Sequence, residues 1–142
     1  MSSFRRTLTL AALAAGLSTV PAAAQTAMPA DSLAYARQLT NWFFAGEIDS
    51  IVAHLDSSGQ GIDAEVVWQK RLDELTARVG VETEVLEEKF AKRNGNTQYW
   101  RTSRFSDFTE EPVTFRWAFN KAGKIIGVGM NPQSKAPPID PD

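Results

Sequence analysis

Residues 113–119 read VTFRWAF, and this stretch decides the fold because apolar and polar or small side chains alternate along it. Such alternation predicts a strand that buries one face. The buried face would carry four residues, Val113, Phe115, Trp117 and Phe119. The turn signal NKAG at 120–123 and the apolar run KIIGVGM at 124–130 follow at once, so this region predicts a β-hairpin. Pro132 is expected to end the second strand.

The segment GKIIGVG, residues 123–129, invites comparison with a phosphate-binding loop because it holds three glycines and a lysine. A phosphate loop opens into a helix and places Ser or Thr after the lysine. Two isoleucines follow Lys124 instead, so the segment predicts a strand and no nucleotide site. Gly123 would supply positive φ in the turn. Gly127 and Gly129 would lie on the same face of the strand. Glycines in a strand mark a bend or a close approach of another segment.

Two further strands are predicted upstream of this hairpin. Asn94-Gly95 is a tight-turn signal. It separates an extended stretch near 82–92 from another near 97–105, and a turn at 109–112 leads into VTFRWAF. Together these segments predict a four-stranded antiparallel meander.

Three helical segments precede the meander. The first is capped by Asp31 and ends at Gly46, the second spans 48–55, and the third is capped by Asp63 and ends at Gly80. The predicted fold class is therefore α+β, with three N-terminal helices packed on a bent four-stranded antiparallel sheet.

The N-terminal residues 1–24 have the pattern of a signal peptide. Arg5 and Arg6 form a positive region, a short apolar run follows, and small residues precede the expected cleavage after Ala24. Cleavage predicts a periplasmic or secreted bacterial protein with no membrane segment left. The two arginines also suit twin-arginine export, so the general and twin-arginine routes both remain open.

Charge and composition exclude several functions. Without Arg5 and Arg6, the chain has 13 basic and 17 acidic residues, a net charge of −4, and no basic cluster, so nucleic-acid binding is not expected. There is no cysteine and one histidine. No thiol nucleophile, lipoprotein anchor, metal site or cofactor is therefore predicted. The proline-rich residues 134–142 predict a flexible C-terminal tail.

Three stretches carry a resemblance to a known family: WFFAGEID at 42–49, VVWQKRLDEL at 66–75, and the hairpin at 113–132. The chain resembles the nuclear transport factor 2-like, or cystatin-like, superfamily, and within it the exported bacterial family called domain of unknown function 3887. The resemblance covers a domain at 31–133. It implies a cone-shaped fold with a pocket that holds catalytic residues, binds small apolar molecules or is filled by core side chains. It also implies dimerisation through the outer sheet face, and the sequence leaves both a monomer and a homodimer open.

Aromatic residues are the richest candidate feature of this sequence. The predicted ligand-binding residues are Trp42, Trp68, Tyr99, Arg101 and Trp117. If the strand face that carries Arg101 points inward, Arg101 is a buried cation that awaits an anionic ligand or a carboxylate. If the face that carries Trp100 points inward, Arg101 lies on the surface, and the alternation leaves both open.

The principal functional hypothesis is a non-catalytic binding or protein-interaction domain that holds a small apolar or anionic ligand. The alternative is an isomerase- or dehydratase-like enzyme that uses Tyr35, Asp56 or His54 as pocket acid and base. A cystatin-type protease inhibitor is disfavoured because no Q-x-V-x-G motif is present. An enzyme should show two inward polar groups within hydrogen-bond reach in an open cavity, whereas an interaction domain should show a filled interior.

Overall fold

The computed structural model describes residues 31–142, so the predicted signal peptide lies outside the described residues. The fold is α+β, with helices followed by a four-stranded antiparallel sheet. The strands are β1 (Glu82–Arg93), β2 (Asn96–Phe105), β3 (Val113–Phe119) and β4 (Ile125–Pro132). They lie side by side in sequence order, as the predicted meander requires.

The helices are α1 (Ser32–Ala45), α2 (Ile48–Val52) and α3 (Ala64–Val79). The Asp31 carboxylate accepts a hydrogen bond from the Ala34 N–H at 3.0 Å, as predicted for a cap. Gly46 ends α1 in the left-handed conformation with φ of 78°. Asp63 occupies the capping position of α3, but its side chain makes no capping hydrogen bond.

The second helix ends at Val52, three residues earlier than predicted, because the chain there joins the sheet. Leu55 forms a parallel bridge to Ile125. The Asp56 N–H donates to the Ile125 carbonyl and the Ile125 N–H donates to the His54 carbonyl, both at 2.9 Å. The sheet therefore takes backbone groups that a longer helix would have used.

The register of the β1–β2 hairpin starts from its two-residue turn. Asn94 and Gly95 both have positive φ, at 53° and 76°, as a tight hairpin turn of this sequence requires. Arg93 pairs with Asn96, and register shifts interrupt β1 between Glu82 and Glu84 and between Val85 and Glu87. These bulges shift the far end of β1 relative to β2.

The sheet buries one face against the helices. Trp117 on β3 packs its ring against Phe43 of α1 and Trp68 of α3, with centroid distances of 5.4 Å and 6.1 Å. The Trp117 indole N–H donates to Thr40 Oγ1 at 3.0 Å, and the Thr40 hydroxyl donates to the Ala36 carbonyl. The alternation predicted for residues 113–119 is confirmed, since all four apolar side chains of β3 are buried.

The structure decides which face of β2 points toward the helices. Tyr99, Ser103 and Phe105 are buried on the same side as Phe115 and Trp117, so Arg101 between them belongs to this inner face. Trp100 alternates with them and lies on the outer face. Arg101 is therefore a largely buried cation, with 12% of its side chain exposed.

The predicted flexible tail, residues 134–142, makes contacts with both ends of the sheet. The Ser134 hydroxyl and N–H donate to the Glu111 carboxylate at 2.7 Å and 2.9 Å. Farther on, the Asp140 N–H donates to the Lys92 carbonyl at 2.7 Å. The mobility of this tail stays a prediction, but the structure gives it defined partners.

Candidate functional site

Arg101 is the centre of a charged cluster on the inner face. Its guanidinium forms a two-pronged ion pair with Glu82, in which Nε donates to Oε2 at 2.9 Å and Nη2 donates to Oε1. Ser103 donates its hydroxyl to the same Glu82 carboxylate at 2.7 Å. The planar fork of arginine matches a carboxylate in this way, and such pairs are stronger than neutral hydrogen bonds.

Glu88 extends the cluster to the first helix. Its carboxylate lies 3.7 Å from Arg101 Nη1. It also accepts from Arg37 of α1, with Nη2 to Oε2 at 2.6 Å, and from the Tyr99 hydroxyl. The cluster thus joins α1, β1 and β2 and contains two arginines and two glutamates, so its formal charges cancel.

The ionisation of the cluster follows from these contacts. Hydrogen bonds from Arg37 lower the pKa of Glu88, although its partial burial opposes the shift. Burial would lower the pKa of Arg101, but hydrogen bonds to Glu82 and Tyr99 and the charge of Glu82 outweigh it and raise that pKa. Burial and the hydrogen bond to Glu88 raise the pKa of Tyr99, so its phenol stays neutral. The pKa of Arg37 is raised by its hydrogen bond to Glu88, so the Arg37–Glu88 pair is charged at neutral pH.

A cleft of about 500 Å³ opens beside this cluster, and we call it the arginine cleft. Its walls come from α1, α3 and the beginning of β1. The lining residues include Asn41, Phe44, Leu72, Asp73, Thr76, Glu82 and Arg101. Phe44 and Leu72 supply apolar surface, while Asp73 and Glu82 add two carboxylates against the single arginine. The lining therefore has a formal charge of −1.

The predicted ligand-binding residues do not form one site. Trp68 and Trp117 pack in the core against Phe43 and are almost completely buried. Tyr99 and Arg101 belong to the charged cluster. Trp42 lies elsewhere, where its indole ring stacks on the His54 imidazole at a centroid distance of 5.6 Å.

Tyr35 and His54 make a second polar contact, between α1 and the end of α2. The Tyr35 hydroxyl lies 3.2 Å from His54 Nδ1 and 3.3 Å from the Gly123 carbonyl. Because a carbonyl only accepts, a Tyr35 hydroxyl that donates to Gly123 must accept from an Nδ1–H of His54. Burial and the nearby Lys124 charge lower the pKa of His54, and burial raises the pKa of Tyr35. Both side chains are therefore neutral at neutral pH.

Asp56 does not join this pair directly. One carboxylate oxygen accepts from the Ser58 hydroxyl and N–H at 2.7 Å and 2.9 Å, and the other accepts from the Asn120 amide at 2.8 Å. These bonds, chiefly those from Ser58, lower the pKa of Asp56. Asp56 thus fastens a loop to the β3–β4 turn.

Three members of the charged cluster, Arg37, Glu82 and Glu88, were not among the residues that the sequence predicted to bind a ligand. One signal could have found Glu88. Counting outward from the Asn94–Gly95 turn pairs Glu88 with Arg101, and the structure has this pair. No such count finds Glu82, since the two register shifts intervene.

Among residues 31–142 no group of three or more His, Cys, Asp or Glu side chains could hold a metal ion. Over the same residues, the helices are too short or too polar to cross a membrane. Comparison of the chain with protein-family models, curated proteins and solved structures gives no match.

Proposed function

We propose that this chain is an exported, non-catalytic binding domain, and that its ligand binds in the arginine cleft. The observation that carries the proposal is a cleft of about 500 Å³ whose wall holds a largely buried, fully paired guanidinium. Small-molecule sites combine apolar walls with a few fixed polar groups, and this cleft has both. We further propose a cone-shaped fold of the nuclear transport factor 2-like type, with the arginine cleft at the open end of the cone.

The packed interior supports a ligand at the mouth rather than inside the core. Phe43, Trp68, Phe115 and Trp117 contact one another where a deep pocket would lie. A ligand there would have to displace an aromatic ring, and overpacking a filled core is destabilising. The arginine cleft needs no such displacement.

The charges of the cleft favour a cationic ligand over an anionic one. Three guanidinium nitrogens of Arg101 already face carboxylates, those of Glu82 and Glu88. An anion would have to displace Glu82, whereas a cation can approach Asp73, whose Oδ1 accepts from the Gln69 amide at 3.0 Å. The best-fitting ligand is therefore a small molecule with an apolar body against Phe44 and a positively charged end.

Ligand titrations monitored by NMR test this proposal with benzylamine as cation and phenylacetate as anion of similar size. We expect benzylamine to shift resonances of cleft residues and to bind more tightly than phenylacetate. Asp73→Asn should weaken the benzylamine interaction, whereas the matched control Glu74→Gln should not, because Glu74 is an exposed neighbour paired with Lys70. If the protein instead prefers phenylacetate and Arg101→Met loses that preference, the anion replaces the Glu82 carboxylate at the Arg101 guanidinium. Absence of binding by both would remove the cleft as the site.

A second candidate function is acid–base catalysis at Tyr35 and His54, favoured by the 3.2 Å contact between them. A neutral imidazole beside a phenol can move a proton to or from a carbonyl compound. Neither residue lines the arginine cleft, which is why binding is preferred. Exchange of the α-protons of cyclohexanone in D₂O tests this candidate. Acceleration that disappears in both Tyr35→Phe and His54→Gln would establish an enzyme, and rates equal to buffer would reject it.

A further inference from the structure

The C-terminal segment at residues 136–142, which we call the C-terminal strap, runs from one end of the sheet to the other. It follows the short 3₁₀ helix Gln133–Lys135, which continues directly from the end of β4 at Pro132, the partner of Val113. It is next fastened at the opposite end, where the Asp140 N–H donates to the Lys92 carbonyl. Since β4 and β1 are the two edge strands, the strap crosses the whole sheet.

The length of the chain between Pro132 and Asp140 is close to this diagonal. Three interstrand spacings of about 4.8 Å and about six residues at roughly 3.3 Å give a diagonal of about 25 Å. Gln133–Lys135 form a short 3₁₀ helix with a rise of about 2.0 Å per residue, and five further residues extended at roughly 3.1 Å each bring the total to about 22 Å, so residues 136–140 must be extended to reach Lys92. Pro137 and Pro138 favour that extended conformation.

The strap crosses the outer face of the sheet, opposite the helices. Arg93 alternates with inward-facing Lys92 and donates from Nε to the Pro138 carbonyl at 3.2 Å. On this face Trp100 is only 7% exposed. Lys89 and Arg116 of the sheet lie over the Trp100 ring, and the strap crosses the same face.

The end of the strap is held by a specific contact. The two carboxylate oxygens of Asp140 each accept one backbone N–H, from Asn94 and from Gly95, both at 2.9 Å. Successive N–H groups in left-handed turns form a concave site for an anion. These bonds lower the pKa of Asp140, so the carboxylate remains charged.

The rest of the outer face has cationic and aromatic chemistry that complements such a peptide. Lys89 and Arg116 both lie over the Trp100 ring, at 5.7 Å and 5.6 Å from its centroid. The Arg116 Nε is buried and has no hydrogen-bond partner within residues 31–142. An aromatic ring flanked by donors is the type of surface that binds extended proline-rich segments.

We propose that the outer face of the sheet is a docking surface for an extended, proline-rich peptide segment of a partner protein, anchored by an aspartate on the Asn94 and Gly95 amides. The C-terminal strap occupies this surface in the free protein and competes with the partner. The cationic side chains of the outer face, Lys89, Arg93 and Arg116, select against basic segments. The site is separate from the arginine cleft and does not depend on the function proposed there.

Binding of a labelled peptide to the full chain tests this proposal. The peptide is KAPPIDPD, the sequence of residues 135–142 with fluorescein at its N-terminus, and anisotropy measures its affinity. Asp140→Asn weakens the strap of the protein while the peptide keeps its aspartate. We expect this variant to bind the peptide at least roughly tenfold more tightly than the wild type, because the competing charge-assisted hydrogen bonds are weakened. The matched control Asp142→Asn removes the same charge at an exposed position and should behave as the wild type.

Several outcomes decide the question. Binding should shift the amide resonances of Asn94 and Gly95, and replacement of the first peptide aspartate by asparagine should abolish it. A double variant, Pro137→Gly with Pro138→Gly, loosens the strap without touching the surface and should also bind more tightly. A wild-type dimer that the free peptide dissociates would overturn the partner protein as the occupant, because the strap of a second copy would then fill the surface. Equal, weak binding by all variants, with faster amide exchange at residue 140 in Asp140→Asn, would overturn the proposal.

Discussion

Arg101 and Arg116 lie on opposite faces of the same sheet, and the protein accommodates their charges in different ways. Arg101, on the inner face, is paired with Glu82 and lies 3.7 Å from Glu88. Arg116, on the outer face, lies over Trp100 and donates to the amide oxygen of Asn131 at 2.8 Å, and no carboxylate of residues 31–142 forms an ion pair with it. The pKa of Arg101 is raised by its partners, whereas burial and the charge of Arg93 lower the pKa of Arg116.

The comparison teaches that two arginines, both withdrawn from solvent in one sheet, can serve different purposes. Removing Arg101 leaves the Glu82 carboxylate without its cation, although Glu88 keeps Arg37, so its effect on folding should be large. Removing Arg116 leaves only a neutral amide and an aromatic ring, so its effect on folding should be small. Because replacing Arg116 should cost little stability, this position is better suited than Arg101 to recognition of a partner.

The largest expected effect comes from Arg101→Met compared with Arg116→Met. We expect the free energy of unfolding to fall by about 3 kcal/mol in Arg101→Met, since a partly buried ion pair is broken on one side. Arg116→Met should lose about 1 kcal/mol, the scale of a cation–π contact. Urea denaturation of the two variants measures both values, and equal losses would contradict the comparison.

The outer arginine can also be displaced without changing it. A Cβ at Gly129 would lie 2.5 Å from Arg116 Nη2, whereas a Cβ at Gly127 would meet nothing within 4 Å. Gly129→Ala should therefore push the guanidinium from Trp100 and cost about 1–2 kcal/mol of stability. Gly127→Ala should change stability by less than about 0.5 kcal/mol. Thermal unfolding gives the stability and tryptophan emission the displacement, and identical behaviour would show that Arg116 adjusts freely.

Acid should weaken the charged cluster of the inner face through Glu88. The folded-state pKa of Glu88 lies below its unfolded value, so its contribution is complete above the unfolded pKa. That contribution, no more than about 1 kcal/mol, is lost as the pH falls through the folded pKa. Glu88→Gln should therefore show a shallower loss of stability than the wild type below about pH 4.5, near the ordinary glutamate pKa. Arg116→Met should keep the wild-type slope, and a shallower slope there would contradict the assignment.

The smallest expected effect concerns an exposed ion pair, which shows whether pairing stabilises the sheet without burial. Arg104 pairs with Glu84 at 3.2 Å, but more than half of each side chain is exposed. Such pairs contribute little, so Arg104→Gln should change the free energy of unfolding by less than about 0.5 kcal/mol. A loss comparable to that of Arg101→Met in the same urea titrations would show that pairing alone, without burial, stabilises this sheet.

Much of the fold could be predicted because local sequence patterns dictate it. The four-stranded meander, the Asn94–Gly95 turn, the positive φ of Gly123 and the end of α1 at Gly46 are all confirmed. These features depend on side-chain alternation or on the conformational freedom of glycine, both readable from neighbouring residues. The shortened second helix was missed because a contact with distant Ile125 ends it.

The candidate site was predicted only in part. Tyr99 and Arg101 were identified, and the structure places both in one cluster. The predicted tryptophans are divided between the core and the His54 contact. Residue type indicates that an aromatic ring will be buried, but it does not say whether a core or a cleft buries it.

The sequence by itself determined the order of helices and strands, their turns and the buried face of β3, because these follow from patterns within a few residues. Only the tertiary structure decided which face of β2 points toward the helices, and hence that Arg101 meets Glu82. It also decided that residues 136–142 lie across the outer face. Alternation fixes which side chains share a face, but the packing of helices, the bulges in β1 and a tail contact 46 residues from Asn94 determine what each face meets.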